Sequence, residues 1–328
     1  MDTGKYDLTI KEFLRGLMMA EAVLFTGVKS RKNPESIFVV GQPGAGKTGL
    51  KGFVLSENNL NLSECVDINP DQIAAFHKYS DEVIANCPSD SHRILQKFVR
   101  PVLDGYLRLK AVQLRCDIIQ EGTFASDGYI DILRFQRNGG KNAPIGRVVE
   151  TPGMDHVGDF DQIKREGVDV EGGYDVEIDI LAVSRFDSLL SSYEREQYFR
   201  EHQLPPRAVT KENHDRSYSA LLDTLDTVER EKLYSKIKVF KRGYREDRPE
   251  LIYESGDPRF KSVSDAVRAA RKEETNKLLK NPGNYRMKIK RLLEKNLEPT
   301  LREKVEDLGE EFEEAVKNYS KLGRDIPE

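Results

Sequence analysis

The chain has 328 residues, enough for one large domain or two ordinary ones with a substantial buried core. With 38% hydrophobic and 33% charged residues, it is too charged for a membrane protein and too apolar for a disordered one. Its formal net charge of -4 creates no global field that would recruit nucleic acid or an acidic membrane.

The cysteine content and the apolar runs of the sequence indicate the cellular location that we expect for the protein. Cys65, Cys87 and Cys116 are odd in number and form no CxxC pair, which argues against a disulfide framework and a zinc site. The apolar run at 17–25 contains Glu21 and has no small-residue cleavage site after it. No stretch approaches the roughly 20 apolar residues of a membrane span. We therefore expect a cytoplasmic protein with no membrane partner.

The first part of the chain alternates predicted helices with predicted strands. Apolar periodicity predicts a helix from Leu8 to Phe25, before a strand at Ser36 to Val40. A second strand is predicted at Glu64 to Ile68, and a helix from Asp71 through Ile84 follows it. Apolar residues between Ser91 and Arg115 recur at three- and four-residue steps, which predicts one or two further helices.

Three more apolar strands are predicted further along the chain. They cover Cys116 to Gln120, Val176 to Val183 and Ile237 to Phe240, and the last is expected to pair with Glu250 to Glu254. Because strands alternate with helices, we expect parallel pairing through right-handed crossovers. The predicted fold class is α/β, a three-layer αβα core around a mainly parallel sheet, with helical extensions at both ends.

A glycine turn at Asn138-Gly139-Gly140 lies between two β-rich runs within 129–150. This pattern predicts a β-hairpin, inserted into the core at about 128–157. The chain as a whole divides into three predicted parts. They are an N-terminal helical segment at 1–35, a core domain at 36–261 and a charged helical extension at 262–328.

The extension consists almost entirely of helix formers and charged residues, with breaks at Asn281-Pro282-Gly283 and Glu298-Pro299. Basic residues dominate 268–295 and acidic residues dominate 298–314, so the two blocks are suited to pair as antiparallel helices. The basic block lacks the interleaved aromatic residues that stack nucleic-acid bases. We therefore expect solvated helices that pack on the core, and no nucleic-acid partner.

The strongest chemical signal is the loop directly after the first predicted strand. It consists of Gly41, Gln42, Pro43, Gly44, Ala45, Gly46, Lys47 and Thr48. Its glycines allow backbone amides to face phosphate groups, and the start of the following helix adds the positive end of its dipole. In such a P-loop the lysine reaches the β- and γ-phosphates, and the threonine hydroxyl ligates Mg²⁺. We therefore predict binding of ATP or GTP with Mg²⁺, and Thr48 as the metal ligand.

The sequence carries no GTPase signature beside this loop. Glu150-Thr151-Pro152-Gly153 is similar to the γ-phosphate-sensing loop of GTPases, but Glu150 stands where that loop needs an aspartate. No Asn-Lys-x-Asp guanine-reading motif occurs in the chain. The pattern favours a kinase of a small acceptor over a GTPase switch.

Asp71 is the best candidate for the carboxylate that such a kinase needs to orient or deprotonate the attacking hydroxyl. It lies just past the second predicted strand, and the carboxyl ends of strands line the site in open α/β sheets. Asp67 is the competing base, although its position within or at the edge of the strand disfavours it. A structural role for Asp71, as an acid at a helix N-terminus, stays open.

From Ile37 to about Tyr253, the sequence resembles the zeta-toxin family of P-loop kinases. The matching motifs are the P-loop, Asn69-Pro70-Asp71, Glu121-Gly122-Thr123, Tyr193-Glu194-Arg195 and Pro206-Arg207-Ala208-Val209-Thr210-Lys211-Glu212-Asn213-His214-Asp215. Kinases of this family act in toxin–antitoxin systems and phosphorylate the 3′-hydroxyl of the amino sugar in UDP-N-acetylglucosamine. The resemblance implies a P-loop kinase fold, a nucleotide-sugar acceptor and an antitoxin protein as a candidate partner.

The resemblance also assigns roles to individual residues of this chain. The implied catalytic residues are Asp71 as base, with Lys47, Arg195 and Arg207 holding the transferring phosphate. The implied acceptor-binding residues are Glu121, Thr123 and Asp104. Positive charge beside the phosphoryl group suits this chemistry, because negative charge spreads over the phosphoryl oxygens in the transition state.

The chain departs from the family in its acceptor half. Phe124-Ala125 follows the Glu121-Gly122-Thr123 motif, where the family often carries an arginine two residues on, and the predicted insertion lengthens the region that covers the pocket. The acceptor therefore stays open between UDP-N-acetylglucosamine, the adenosine ribose of NAD and a nucleic-acid 5′-end. A different class of function also stays open, a domain that holds nucleotide and binds a partner protein without phosphotransfer.

Overall fold

A computed structural model of the chain describes residues 4–87, 90–126, 128–149, 164–202, 204, 208–243 and 248–322. Within these ranges, no helix is both long and apolar enough to cross a membrane. The strands are β1 Glu35–Val40, β2 Val66–Ile68, β3 Ile118–Gly122, β4 Gly140–Val149, β5 Lys164–Val170, β6 Asp175–Ala182, β7 Lys236–Lys241 and β8 Glu250–Glu254.

A six-stranded sheet with the order β2-β3-β1-β6-β7-β8 forms the centre of the molecule. All neighbouring strands pair in parallel except β7 and β8; these two pair with each other as predicted, and their pairing is antiparallel. β1 is central: Val39 lies opposite Glu121 of β3 on one side and opposite Asp179 of β6 on the other. The predicted mainly parallel α/β sheet is confirmed. Loops that follow the parallel strands meet at one edge of the sheet, where ligands bind in such folds.

Helices cover both faces of this sheet. They are α1 Ile10–Phe25, α2 Lys47–Glu57, α3 Pro70–Ala74, α4 Ser80–Asn86, α5 Ser91–Val102, α6 Arg108–Gln113, α7 Gly128–Asn138, α8 Arg185–Glu201, α9 Lys211–Glu231, α10 Val263–Lys280, α11 Gly283–Leu293 and α12 Pro299–Leu322. On one face, Val39 packs with Leu50 and Val54 of α2. On the other, Phe38 and Val40 join a larger core with α1, α5, α6, α7, α9 and α10. The side chains of β1 alternate between these faces, which gives the predicted three-layer αβα core.

The N-terminal helix forms where the sequence predicts it, whereas the helix predicted from Asp71 through Ile84 is interrupted. α1 begins with a capping box, in which the Thr9 hydroxyl accepts from the Glu12 amide and the Glu12 carboxylate accepts from the Thr9 amide. The second region forms two helices, α3 and α4. The chain turns between them, at a point where the buried ring of His77 packs edge-on against Phe98.

The predicted hairpin at 129–150 is wrong in its first half. α7 occupies the place of its first strand, because Ile130 and Leu133, three residues apart, both bury in the main core. The helix ends before Gly139, whose φ of 71° favours glycine. The second strand, β4, pairs antiparallel with β5 instead. Residues 150–163, which include the GTPase-like run, lie outside the described residues.

The C-terminal region forms three helices, separated at the two predicted breaks. α10 packs on the main core through Val263 and Ala266. α11 and α12 enclose a second apolar core with α8. Arg286 of α11 donates two hydrogen bonds to Glu313 of α12, at 2.6 and 2.7 Å, so the basic and acidic blocks do contact each other. The division of the chain into three parts at residues 35 and 261 stays a prediction.

Substitution of Phe312 measures how much the packing of the C-terminal helices contributes to the stability of the protein. Its ring is fully buried, with centroids 4.2 Å from Tyr285 and 5.3 Å from Phe186. Truncation of a buried phenylalanine costs about 3–5 kcal/mol through lost burial and the cavity that remains. We expect Phe312→Ala to lower the free energy of unfolding in urea by that amount, and the exposed control Glu310→Ala to change it by less than about 0.5 kcal/mol. Equal effects of the two substitutions would contradict the packing described.

Candidate active site

The P-loop joins β1 to α2 through two glycines in the left-handed backbone region. Gly44 has a φ of 75° and Gly46 a φ of 98°, which residues with side chains rarely adopt. A Cβ atom at Gly44 would lie 1.9 Å from the backbone oxygen of Ser188 in α8. The loop therefore packs directly against α8. The backbone amides at the start of α2, at the positive end of the helix dipole, are suited to the anion-binding cradle that the sequence predicts.

Gln42 fastens this loop to its surroundings. Its side chain is fully buried, and Nε2 donates to the Val183 carbonyl at 2.9 Å and to the Ser188 hydroxyl at 3.2 Å. Its Oε1 accepts a hydrogen bond from Arg271 Nη2 at 3.2 Å. Arg271 is a buried residue of α10, so a helix beyond the predicted core boundary supports the phosphate-binding loop.

Lys47 and Thr48 open α2 beneath the cradle. Lys47 Nζ donates to the carbonyl oxygens of Gly41 and Gln42, at 2.8 and 3.1 Å, so the ammonium group lies along the loop. The Thr48 hydroxyl donates to Glu121 Oε2 at 3.4 Å. Thr48 and Glu121 thus present oxygen atoms side by side, which fits Mg²⁺, a cation held by few protein oxygens together with phosphates and waters. The described residues contain no cluster of three or more His, Cys, Asp or Glu suited to a metal.

Lys51 is a functional candidate that the sequence prediction missed. Its buried ammonium group lies 2.6 Å from Asp67 Oδ1 of β2 and 3.7 Å from Glu121 Oε1 of β3. Its spacing in the sequence could have identified it, because Lys51 follows Lys47 by one helical turn on α2 and both lysines therefore lie on one helix face. Because Lys51 binds Asp67 in a buried ion pair, the geometry disfavours Asp67 as the competing base.

Asp71 lies in the first turn of α3, just beyond the end of β2. Asn69 caps this helix, with its side-chain oxygen accepting from the Asp71 amide at 3.0 Å, and Pro70 occupies the first helical position. The Asp71 side chain is exposed. β2, β3 and β1 are adjacent and parallel. Asp71 after β2, Glu121 near the end of β3 and the P-loop after β1 therefore lie at the same edge of the sheet.

Arg195 of α8 faces the same edge. Burial lowers the pKa of its guanidinium, and the negative charge of Glu121 opposes this shift. Its Nε has no hydrogen-bond partner among the described residues. A partly buried cation with an unused donor, within electrostatic range of Glu121, is suited to an anionic ligand.

The other predicted site residues are described less completely. Thr123 is half-buried directly after β3, beside Glu121. Asp104 lies in a π-helical turn, Leu103–Leu107, and its side chain is outside the description. Arg207 lies outside the described residues altogether. Their roles stay predictions.

His214 has a structural environment. Its ring is fully buried, with Nε2 2.9 Å from the Ser188 hydroxyl and Nδ1 3.1 Å from Asp215 Oδ1. Arg185 in turn donates to both Asp215 oxygens, at 2.7 and 2.8 Å. Burial lowers the pKa of His214, against the opposing effect of Asp215. This network supports the contact between α8 and the P-loop.

Asp179 is a second buried acid near the cradle. It lies on β6 on the same face as Leu181, which packs with Leu50 of α2. Burial, followed by the negative charge of Glu177, raises its pKa well above the usual range, and the positive charge of Lys238 opposes the shift. The folded protein therefore keeps this carboxyl group protonated over a pH range in which the unfolded chain has lost the proton.

We expect the stability advantage of Asp179→Asn over the wild type to grow as the pH rises. The unfolded chain loses the Asp179 proton above about pH 4, while the folded state retains it. Wild-type stability then falls by up to about 1.4 kcal/mol per pH unit, a slope that the uncharged asparagine removes. Urea unfolding of both proteins at pH 4 and pH 7 measures the difference. If the free energies of unfolding of the two proteins differed by the same amount at pH 4 and pH 7, Asp179 would not be protonated in the folded protein.

The fold and the loop together define a P-loop phosphotransferase: a parallel sheet with a phosphate cradle after its central strand and acids after the adjacent strands. The family model described as Zeta toxin matches residues 21–143 and 155–256, well over half of the chain. The chain therefore belongs to the zeta toxin family, whose members are P-loop phosphotransferases. The resemblance predicted from the sequence motifs is confirmed.

Individual relatives are distant. The chain is 23% identical to Toxin zeta of Enterococcus hirae over 229 residues, 67% of this chain and 64% of that protein. It is 25% identical to Toxin PezT of Streptococcus pneumoniae over 237 residues, 72% of this chain and 79% of that protein. The match thus spans slightly less than two thirds of the first of these relatives.

A solved structure from the PezAT chromosomal toxin–antitoxin system of Streptococcus pneumoniae has a similar fold. It superposes with a TM-score of 0.57 at 20% identity, over 81% of this chain and 88% of that one. This likeness shows the α/β fold.

Proposed function

We propose that the chain is a Mg²⁺-dependent kinase that transfers the γ-phosphate of ATP or GTP to a hydroxyl group of a small metabolite, and acts as a zeta-like toxin. The 3′-hydroxyl of UDP-N-acetylglucosamine is the acceptor proposed first. One observation carries the proposal: the hydroxyl of Thr48 in the P-loop lies 3.4 Å from Glu121, at the end of the neighbouring strand. A phosphate donor in the cradle and an acceptor held at Glu121 would therefore meet.

Asp71 is the proposed catalytic base. Its exposed carboxylate follows β2, on the acceptor side of the P-loop, where it can accept the proton of the attacking hydroxyl. The hydroxyl oxygen then bonds to the γ-phosphorus while the bond to the leaving nucleoside diphosphate breaks.

Cations are proposed to stabilise the negative charge that develops on the phosphoryl group. Lys47 lies in the cradle and Arg195 faces it from α8, and we propose that Arg207 adds a third positive charge. Bound Mg²⁺ would neutralise phosphate charge, and Thr48 would hold it.

The acceptor is proposed to bind at Glu121, Thr123 and Asp104. Phe124, the next residue after the motif, has a φ of 51° and a fully buried ring that packs edge-on against Phe38 at 5.4 Å. This side chain therefore supports the core behind the pocket instead of contacting an acceptor. The side chains proposed to select the acceptor are therefore those of Glu121, Asp104 and Thr123.

A metabolite panel tests the proposal and separates the alternatives. The chain would be incubated with Mg²⁺ and γ-labelled ATP or GTP, and with UDP-N-acetylglucosamine, NAD or a 5′-hydroxyl oligonucleotide. We expect label on the nucleotide sugar. Label on NAD or on the oligonucleotide would keep the kinase and replace the acceptor. Nucleotide binding without label on any acceptor would favour a partner-binding module.

An antitoxin-like protein is the proposed partner, because relatives are named toxins and one similar structure comes from a toxin–antitoxin system. Expression of the wild-type chain alone is then expected to arrest growth of a host cell. Expression of Asp71→Asn at the same level is expected to leave growth normal. Equal growth with both chains would contradict toxicity through phosphotransfer.

A further inference from the structure

Arg242 directly follows β7 and lies against the P-loop. A Cβ atom built on Gly46 would lie 3.3, 3.5 and 3.6 Å from Nε, Nη2 and Cζ of Arg242. These distances place the guanidinium of Arg242 close to Gly46. Gly46 caps the start of α2, so the Arg242 cation lies at the positive end of that helix dipole.

The surroundings of Arg242 leave its charge available for an anion. Arg242 is half-buried, and its Nη1 donates to the Ser191 hydroxyl at 3.0 Å. Among the residues that the structure describes, no carboxylate oxygen lies within ion-pair distance of Arg242. Glu194 is within electrostatic range: burial raises its pKa, and the charges of Lys288 and Arg242 oppose that shift. A cation beside a helix N-terminus is unfavourable by itself and becomes favourable when a phosphate binds to both of them.

The strand order determines which part of a nucleotide reaches Arg242. The P-loop follows β1, and the acceptor-side residues lie on one side of β1, with Asp71 after β2 and Glu121 near the end of β3. Arg242 follows β7, two strands away on the other side. The γ-phosphate must point toward the acceptor. The α-phosphate and the nucleoside therefore point toward β7 and Arg242.

One face of α8 contacts the P-loop and carries or contacts both arginines of the site. Ser188, Ser191 and Arg195 recur at three- and four-residue steps and so lie along one face of the helix. Ser188 contacts Gly44 of the P-loop, Ser191 holds Arg242, and Arg195 is in range of Glu121. Arg195 thus belongs to the transfer side of the site, and Arg242 to the side of the donor nucleoside.

We propose that Arg242 binds the α-phosphate of the donor nucleotide, and that the nucleoside lies on the β7 side of the cradle. This inference rests on the kinase function proposed above and adds a donor-binding residue to it. An α-phosphate is present in both ATP and ADP, so Arg242 contributes equally to the binding of both.

Calorimetric titration of the full chain with ATP and with ADP, in Mg²⁺, tests this role. Arg242→Gln is expected to weaken both affinities by the same factor, at least about tenfold, because a charge-assisted contact is lost. Arg242→Lys keeps the charge but loses the planar fork, and is expected to recover part of the affinity. Ser191→Ala removes only the hydrogen bond to Arg242, and a smaller loss, under about fivefold, is expected. Arg230→Gln is the matched control, since Arg230 is an exposed arginine of α9, and it should bind like the wild type.

The outcomes separate this inference from the proposed function. A wild-type chain that bound neither nucleotide would overturn the kinase proposal, and this inference with it. Wild-type binding with unchanged affinities in Arg242→Gln would overturn only the role of Arg242. Weakened binding of ATP alone would also overturn it, because Arg242 would then contact the γ-phosphate. A cooperative thermal unfolding transition shows whether each variant is folded. If Arg242→Gln is not folded, the ATP and ADP affinities of Arg242→Lys test the role of Arg242 instead.

Discussion

Asp71→Asn is expected to lower the turnover of the kinase by about 10²- to 10⁴-fold, the usual contribution of a general base. Asparagine has nearly the same shape but does not accept the proton of the attacking hydroxyl. The Asn69 cap bonds to the Asp71 backbone amide, so the substitution leaves the start of α3 in place. Nucleotide affinity should stay at the wild-type value, because the P-loop is unchanged.

Single-turnover transfer and calorimetric ATP binding measure the two effects separately. Asp81→Asn is the matched control, since Asp81 is also an exposed acid in the first turn of a short helix, α4. It should leave both quantities unchanged. Normal turnover in Asp71→Asn would show that another group is the base, and Asp67 would be examined next by the same measurement.

Gly44→Ala is expected to have the second large effect, on the cradle itself. The added Cβ would lie 1.9 Å from the Ser188 oxygen and 2.5 Å from the Ser192 hydroxyl, and the φ of 75° is unfavourable for alanine. The left-handed conformation and the overpacking together cost about 2–5 kcal/mol. Because the loop and α8 must separate to relieve the clash, ATP affinity should also fall, by at least about tenfold.

Gly52→Ala provides the control for the second prediction. Gly52 is exposed in the interior of α2, and an added Cβ would meet no atom within 4 Å. Alanine is favoured over glycine in a helix, so this substitution should stabilise the protein by about 0.5–1 kcal/mol. Urea unfolding and ATP titration of both variants give the comparison. A Gly44→Ala protein as stable as Gly52→Ala would contradict the close contact between the P-loop and α8.

Local sequence patterns were sufficient to place the glycine-rich loop and the strands of the sheet. A strand, a glycine loop and a helix start are adjacent in the chain, so Gly41 to Thr48 could be placed without tertiary information. Asp71 and Glu121 were predictable for a related reason. Asp71 follows one apolar strand and Glu121 lies at the end of another, and the carboxyl ends of parallel strands meet at one edge.

Tertiary contacts account for what the sequence did not reveal. Arg271 reaches Gln42 across 229 residues of the chain, a distance that no local pattern spans. Lys51 lies one turn after Lys47, but its ion pair with Asp67 depends on β2 lying beside β3. The hairpin prediction failed because the turn signal at 138–140 outweighed the helical spacing of the apolar residues before it.

The proposed function requires transfer of phosphate to an acceptor at this site. Mass spectrometry of UDP-N-acetylglucosamine after incubation with the chain, Mg²⁺ and ATP is the most direct test. We expect a product heavier by one phosphate group with the wild-type chain and no such product with Asp71→Asn. A wild-type chain that binds ATP yet leaves this sugar nucleotide and every other acceptor in the panel unmodified would contradict the proposed function.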